Sequence, residues 1–218
     1  MKICDGGFPL STDSMALADF VKLPKNARVL DLGAGCGTLG VLLCARDAAC
    51  QVTGLEIDEN AHLTALENSR DNGLSHRLSS ICTDLTQIPN TMASQFSVCV
   101  SNPPYFAAGP AAKLTQARRQ DLCTTEQLFA SAAKALKWGG DFYLVHRPEL
   151  LAQLCACAQN ENLHPKKLCL LRHKEDGPVS LILLQCRKGA KPGLTWQEEF
   201  LHTRDGSFSD YYRTLYHL

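Results

Sequence analysis

The chain has 218 residues, 45% of them apolar, and its 22 Lys and Arg are balanced by 22 Asp and Glu, a size and composition that suit one well-buried globular domain. Zero net charge decides neither for nor against a polyanionic partner, while the lack of any run of about 18 apolar residues and of an apolar signal core in Met1 to Asp5 excludes a membrane span and predicts a soluble, unexported, cytoplasmic protein. The 11 cysteines are odd in number and mostly embedded in apolar runs (Cys44, Cys99, Cys169, Cys186), so they predict reduced thiols packed as small hydrophobes; no Cys-x-x-Cys occurs and Cys155 with Cys157 lacks a histidine at ligand spacing, so no metal is expected.

In chain order, apolar runs bounded by turn residues predict strands at Arg28 to Leu32, Gln51 to Glu56, Leu78 to Thr83, Phe96 to Ser101, Asp141 to His146, Lys166 to Leu171 and Ser180 to Cys186. Helical spacing is expected at Leu39 to Arg46 and at Asn60 to Asn72, the latter stopped by Gly73. Strand-helix alternation implies parallel pairing through right-handed crossovers, hence an α/β, Rossmann-like, seven-stranded, mostly parallel sheet with helices on both faces. The link from Leu171 to Ser180 is too short for a crossover helix and reads as a hairpin, which makes the last strand antiparallel.

Chemistry concentrates at the carboxyl ends of these strands. After the fourth, Ser101, Asn102, Pro103, Pro104, Tyr105 and Phe106 form a polar turn in which the prolines stop the ladder. The Asn102 amide and the Pro103 carbonyl can accept from a planar amino group while Tyr105 or Phe106 stacks on its ring; simple strand punctuation is the plainer alternative. After the first strand comes Asp31, Leu32, Gly33, Ala34, Gly35, Cys36, Gly37, a glycine turn opening a helix where open α/β sheets bind ligands. Gly35 to Gly40 also fits G-x-G-x-x-G, which keeps a nicotinamide enzyme open. Asp31 beside that turn would repel a pyrophosphate but hold an ammonium group, favouring a cationic, amino-acid-like ligand. Glu56 ends the second strand at the spacing for ribose hydroxyls, and Asp84 follows the third, where it can accept from an adenine amino group; Asp58 and Asp84 as helix caps and Glu56 as a surface charge are the competing readings. Charge is uneven, with 7 Lys and Arg against 11 Asp and Glu in residues 1–112, 13 against 7 in 113–191 and 2 against 4 in 192–218. The basic excess after the Asn-Pro-Pro-Tyr turn (Lys113, Arg118, Arg119, Lys166, Lys167, Arg172, Lys174, Arg187, Lys188) suits phosphates or a solvated face equally.

Together these residues resemble class I S-adenosylmethionine-dependent methyltransferases over nearly the whole chain. The resemblance implies that Asp31, Gly33, Gly35 and Gly37 form the first cofactor motif, that Glu56 holds the ribose and Asp84 the adenine, and that Asn102, Pro103, Pro104 and Tyr105 form the catalytic motif of enzymes acting on adenine N6 or glutamine N5. Phe8, Pro9, Leu10, Ser11, Thr12 and Asp13, then Ala117, Arg118 and Arg119, the Leu128 to Leu136 helix with the Trp138, Gly139, Gly140 turn, and Asp205 to Ser209 with Tyr211, Tyr212 and Tyr216 are similar to the bacterial family that includes the valine-tRNA adenine-N6 methyltransferase. Gln120 departs from that family's acidic residue. The resemblance implies one domain over 1–218, with a cofactor-covering segment at 1–27, a core sheet at 28–187 and a C-terminal extension at 188–218. It implies S-adenosyl-L-methionine as cofactor, bound with help from Ser11, Asp13 and Asn102. It further implies tRNA or another RNA as partner, contacted by Tyr105, Phe106, Arg118 and Arg119, and a monomer acting on an anticodon-loop adenine. A protein glutamine N5-methyltransferase, which the short stretch before the first strand disfavours, and a non-catalytic nucleotide- or RNA-binding module are the other expectations.

Overall fold

The computed structural model describes residues 11–103 and 123–217. Six α-helices and eight β-strands are defined among them: α1 (Thr12–Phe20), β1 (Arg28–Leu32), α2 (Thr38–Arg46), β2 (Gln51–Glu56), α3 (Glu59–Asp71), β3 (Leu78–Cys82), β4 (Phe96–Ser101), α4 (Thr125–Ala135), β5 (Leu136–His146), α5 (Leu151–Asn160), β6 (Leu163–Lys174), β7 (Val179–Lys188), β8 (Thr195–His202) and α6 (Asp210–Tyr216). All eight strands share one sheet in the order β3-β2-β1-β4-β5-β7-β6-β8. The strands β1 to β5 pair in parallel, as strand-helix alternation requires. β6 and β7 form the expected hairpin, and β7 runs antiparallel to both of its neighbours.

Two expectations need correction. The sheet has eight strands, not seven, because Thr195–His202 joins the far edge, parallel to β6 from Lys167 opposite Thr195 to Lys174 opposite His202. The chain's last strand is therefore parallel to most of the sheet, and the antiparallel member is β7, inserted between β5 and β6. β8 is hard to see in sequence because it carries Glu198 and Glu199 and buries only Leu201 fully. Trp138, Gly139 and Gly140 lie inside β5 instead of in a turn between elements: Phe96 pairs with Leu136 but Val98 with Asp141, so residues 137–140 bulge out of register.

Local chemistry explains the helix ends. Asp58 caps α3 by accepting from the Ala61 amide at 2.8 Å, and Thr124 with Gln127 closes a reciprocal capping box on α4. One face of the sheet (Val29, Val98, Val100, Tyr143, Val145) packs under Ala16, Leu17 and Phe20 of α1, Leu39 and Leu43 of α2 and Leu215 of α6. The opposite face (Leu30, Cys99, Phe142, Leu144, Leu184) packs on Leu128 and Phe129 of α4 and Leu154 of α5, with Phe129 edge-on to Phe142 at 5.1 Å between ring centres. Seven of the ten cysteines among the described residues are buried free thiols, used as small apolar side chains. Among the described residues no helix is long and apolar enough to cross a membrane.

Candidate active site

β1 lies between β2 and β4, and the chain winds away from it in both directions, which opens a crevice at the carboxyl ends of these strands. Asp31 stands opposite Gly54 on one side and Val100 on the other. Glu56 and Asn102 each lie two residues beyond those partners, so the two-residue period brings both to the Asp31 face of the sheet. That face is the one covered by α1 and α2.

The glycine turn is bound to the end of β2. Gly33 and Ala34 donate to the Leu55 carbonyl at 3.0 and 2.9 Å, and the Gly35 amide donates to Glu56 Oε2 at 2.7 Å. Gly35 has φ +55°, and a Cβ built on it meets nothing within 4 Å, so the backbone borders open space that a ligand can approach closely. Gly37 caps α2 at φ +78°, and a Cβ there would sit 3.2 Å from that of Ala65. Below the turn, the fully buried Asn68 donates from Nδ2 to the Cys36 carbonyl at 2.7 Å. The third glycine of G-x-G-x-x-G, Gly40, serves helix-sheet packing, since a Cβ on it would come 2.6 Å from Leu78 Cδ1.

Electrostatics single out Asp31. It is 2% exposed, and its Oδ2 has no hydrogen-bond partner. Burial pushes its carboxyl up to about 7, with the Glu56 charge adding to the effect. A buried, unpartnered carboxylate oxygen at a sheet edge is a costly feature that a cationic ligand group would compensate. Glu56 accepts from the Gly35 amide on Oε2 and from the Asp58 amide on Oε1 at 2.9 Å, so each oxygen keeps a lone pair for vicinal hydroxyls. Asp84 caps a single 3-10 turn, Leu85–Gln87, through Oδ1 and the Thr86 amide at 2.8 Å. Both Asp58 and Asp84 thus serve as caps, and Asp84 Oδ2 accepts nothing from the described residues.

Asn102 follows the last residue of β4, where Ser101 donates to the Leu32 carbonyl at 2.8 Å. Its Nδ2 donates to Ser14 Oγ in α1 at 2.9 Å, which leaves Oδ1 as the acceptor end of the amide. Ser11 is the cap of α1, its Oγ accepting from the Ser14 amide at 3.2 Å, and Asp13 sits in the first turn with its carboxyl raised by burial. Pro103 is the last described residue of the Asn-Pro-Pro-Tyr turn. The expectations on Pro104, Tyr105, Phe106, Arg118 and Arg119, and those on Phe8 to Leu10, Lys113, Ala117 and Gln120, lie outside the described residues.

Ser14, Asn68 and Ile57 were missed from sequence. Ile57, next to Glu56, is 46% exposed and offers an apolar surface beside that carboxylate; its placement directly after a strand-end carboxylate was the available signal. Several basic residues of the 113–191 region are engaged within the fold. Arg187 pairs with Asp141 at 2.9 Å, Arg172 with Glu198 at 3.1 Å, and Lys188 Nζ donates to the Ala133 and Leu136 carbonyls at 2.6 and 2.8 Å. Among the described residues no group of three His, Cys, Asp or Glu side chains has metal-binding geometry.

Comparison with known proteins agrees with this architecture. Residues 10–156 match the family model of the methyltransferase small domain. A tRNA1(Val) (adenine(37)-N6)-methyltransferase from Pectobacterium carotovorum is 29% identical over 84% of this chain and 75% of its own length. A protein of the same name from Serratia proteamaculans is 28% identical over 94% of this chain and 81% of its own. The crystal structure of a predicted O-methyltransferase from Agrobacterium tumefaciens superposes with a TM-score of 0.79, covering 94% of this chain and 95% of that one at 22% identity, a likeness of fold.

Proposed function

This chain belongs to the methyltransferase small domain family, and we propose that it transfers the methyl group of S-adenosyl-L-methionine to the exocyclic N6 of an adenine in tRNA. The observation that carries the proposal is the position of Asn102: a side-chain amide whose carbonyl end meets no donor among the described residues, directly after the strand adjoining Asp31 and on the same face. The names of the relatives from Pectobacterium and Serratia support adenine in tRNA as the acceptor class.

The residues fit the cofactor. The unpartnered Oδ2 of Asp31 suits an ammonium group, the glycine turn admits a ligand against its backbone, and Glu56 retains lone pairs for two ribose hydroxyls. When bound, S-adenosyl-L-methionine supplies an electrophilic sulfonium methyl. An adenine amine is a weak nucleophile because its lone pair is shared with the ring. Asn102 Oδ1 and the Pro103 carbonyl accept its two N–H groups, favouring charge on nitrogen and fixing its line of approach. No strong base is needed, since the amine proton becomes acidic only as the methyl transfers. By their chemistry, Tyr105 or Phe106 supplies the stacking surface for a base taken out of its stack, and Arg118 and Arg119 supply positive charge for the phosphates. The chain works as one domain and as a monomer in the cytoplasm, with α6 bracing α1 through Tyr216 and Thr12.

Two measurements test this reading. S-adenosylhomocysteine at about 100 times its Kd should stabilise the fold by about 2.7 kcal/mol, and NAD should leave the melting temperature unchanged. Labelled methyl offered with mixed tRNA and protein extracts should enter the tRNA; label confined to protein would assign the enzyme to glutamine instead.

A further inference from the structure

Asn102 has two chemically opposite ends, and only the carbonyl end can receive an amine proton. Among the described residues the contact that chooses between them comes from a helix, 88 residues earlier in the chain. Ser14 is 7% exposed, and its Oγ accepts from Asn102 Nδ2 at 2.9 Å. Ser11 directs its own hydroxyl to the same oxygen at 3.3 Å while accepting from the Ser14 amide, so Ser14 Oγ is held as an acceptor. α1 is itself fixed at both ends. Arg46 of α2 donates to the carbonyls of Ala18 and Val21, and Tyr216 of α6 shares a 2.9 Å hydrogen bond with Thr12.

We propose that Ser14 is a positioning residue for methyl transfer: it captures the amide nitrogen of Asn102 so that Oδ1 is the atom presented to the acceptor amine. The inference rests on the methyltransferase reading above and deepens it. With Ser14 lost, the amide rotates freely between a productive and an unproductive face, and a hydrogen bond that aimed it is gone. Binding of the cofactor, which depends on Asp31, the glycine turn and Glu56, is unaffected.

The test is a double-mutant cycle on the full chain, read by single-turnover transfer of labelled methyl to tRNA with enzyme in excess, alongside calorimetric titration of S-adenosylhomocysteine. Ser14→Ala should slow transfer about tenfold, the equivalent of one lost hydrogen bond, and leave the S-adenosylhomocysteine Kd within twofold. In an Asn102→Ala background, the same substitution should cost less than a further twofold. Ser14→Cys, a weaker acceptor of similar size, should fall between wild type and Ser14→Ala, and it carries the test alone if Ser14→Ala does not fold. Losses that multiply in the double variant, or a Kd that weakens in step with the rate, would make Ser14 structural and overturn the inference while leaving the methyltransferase reading intact. A wild-type enzyme that transfers no methyl to any amine would instead overturn the reading and the inference together.

Discussion

The strands β3, β2, β1 and β4 are five or six residues long, whereas β5, β6 and β7 on the other side of the sheet run for 10 to 12. In the long half, charged side chains are matched, Arg187 with Asp141 and Arg172 with Glu198, and apolar residues such as Leu144 and Leu184 are fully enclosed. The short half leaves the carboxylate oxygen Oδ2 of Asp31 and, beneath it, Asn68 Oδ1 buried without partners, while among the described residues the long half leaves one buried hydroxyl, that of Tyr143, and no carboxylate oxygen so. Asp141 and Glu198 are paired with arginines where the sheet serves as scaffold, whereas the buried Asp31 carboxylate at the edge is left for a ligand to complete.

That contrast can be broken first in the scaffold. Leu184→Ala, at a site with no solvent exposure, should lower the unfolding free energy by about 2 to 5 kcal/mol in urea titration. The folded fraction should keep its S-adenosylhomocysteine affinity within twofold. At the edge the effects should reverse. Asn102→Ala should slow methyl transfer by about 10² to 10³-fold, in the range for one lost transition-state contact, with unfolding midpoints moved little. Equal collapse of cofactor affinity would show that Asn102 is structural.

Glu56→Ala removes a carboxylate that anchors Gly35 and Asp58 as well as one that can take ribose hydroxyls. Hydrogen bonds to a charged group contribute about 1.5 to 3 kcal/mol, so calorimetry should show S-adenosylhomocysteine binding weakened by about 10 to 100-fold. The smallest effect concerns Asp31 and is sharpest near neutrality. Its carboxyl is raised to about 7, and a ligand ammonium requires it ionised, so affinity should fall about tenfold from pH 8 to pH 6 and lie flat over that range in Asp31→Asn. In the free protein the shift acts on stability in the opposite sense. The unfolded chain ionises this group near 3.8 while the fold retains its proton to about 7. The stabilisation is therefore full below about pH 4 and is lost as pH rises to 7, and thermal melts of Asp31→Asn should lack that decline.

The short half was also the more legible in sequence. β1, β2 and β4 have the predicted bounds because each is an apolar run closed by a turn residue. The long half hid its ends: β5 starts at Leu136 and passes through the Gly139 and Gly140 bulge, and β8 pairs through exposed backbone with little apolar signal. In the site, Asp31, Glu56 and Asn102 could be read because strand ends announce themselves locally. Ser14 could not, since its contact with Asn102 depends on where α1 lands across the sheet, and no local pattern encodes that. Asp84 shows the converse, a residue whose position was readable while its hydrogen bond went to a cap.

The most direct test of the account is to incubate the protein with labelled S-adenosyl-L-methionine and total unmodified tRNA, digest the RNA to nucleosides and resolve them by mass spectrometry, for wild type and Asn102→Ala in parallel. The account predicts label in N6-methyladenosine for the wild type and at least 100-fold less for Asn102→Ala at equal cofactor affinity. Label recovered only in protein, or undiminished transfer by Asn102→Ala, would contradict it.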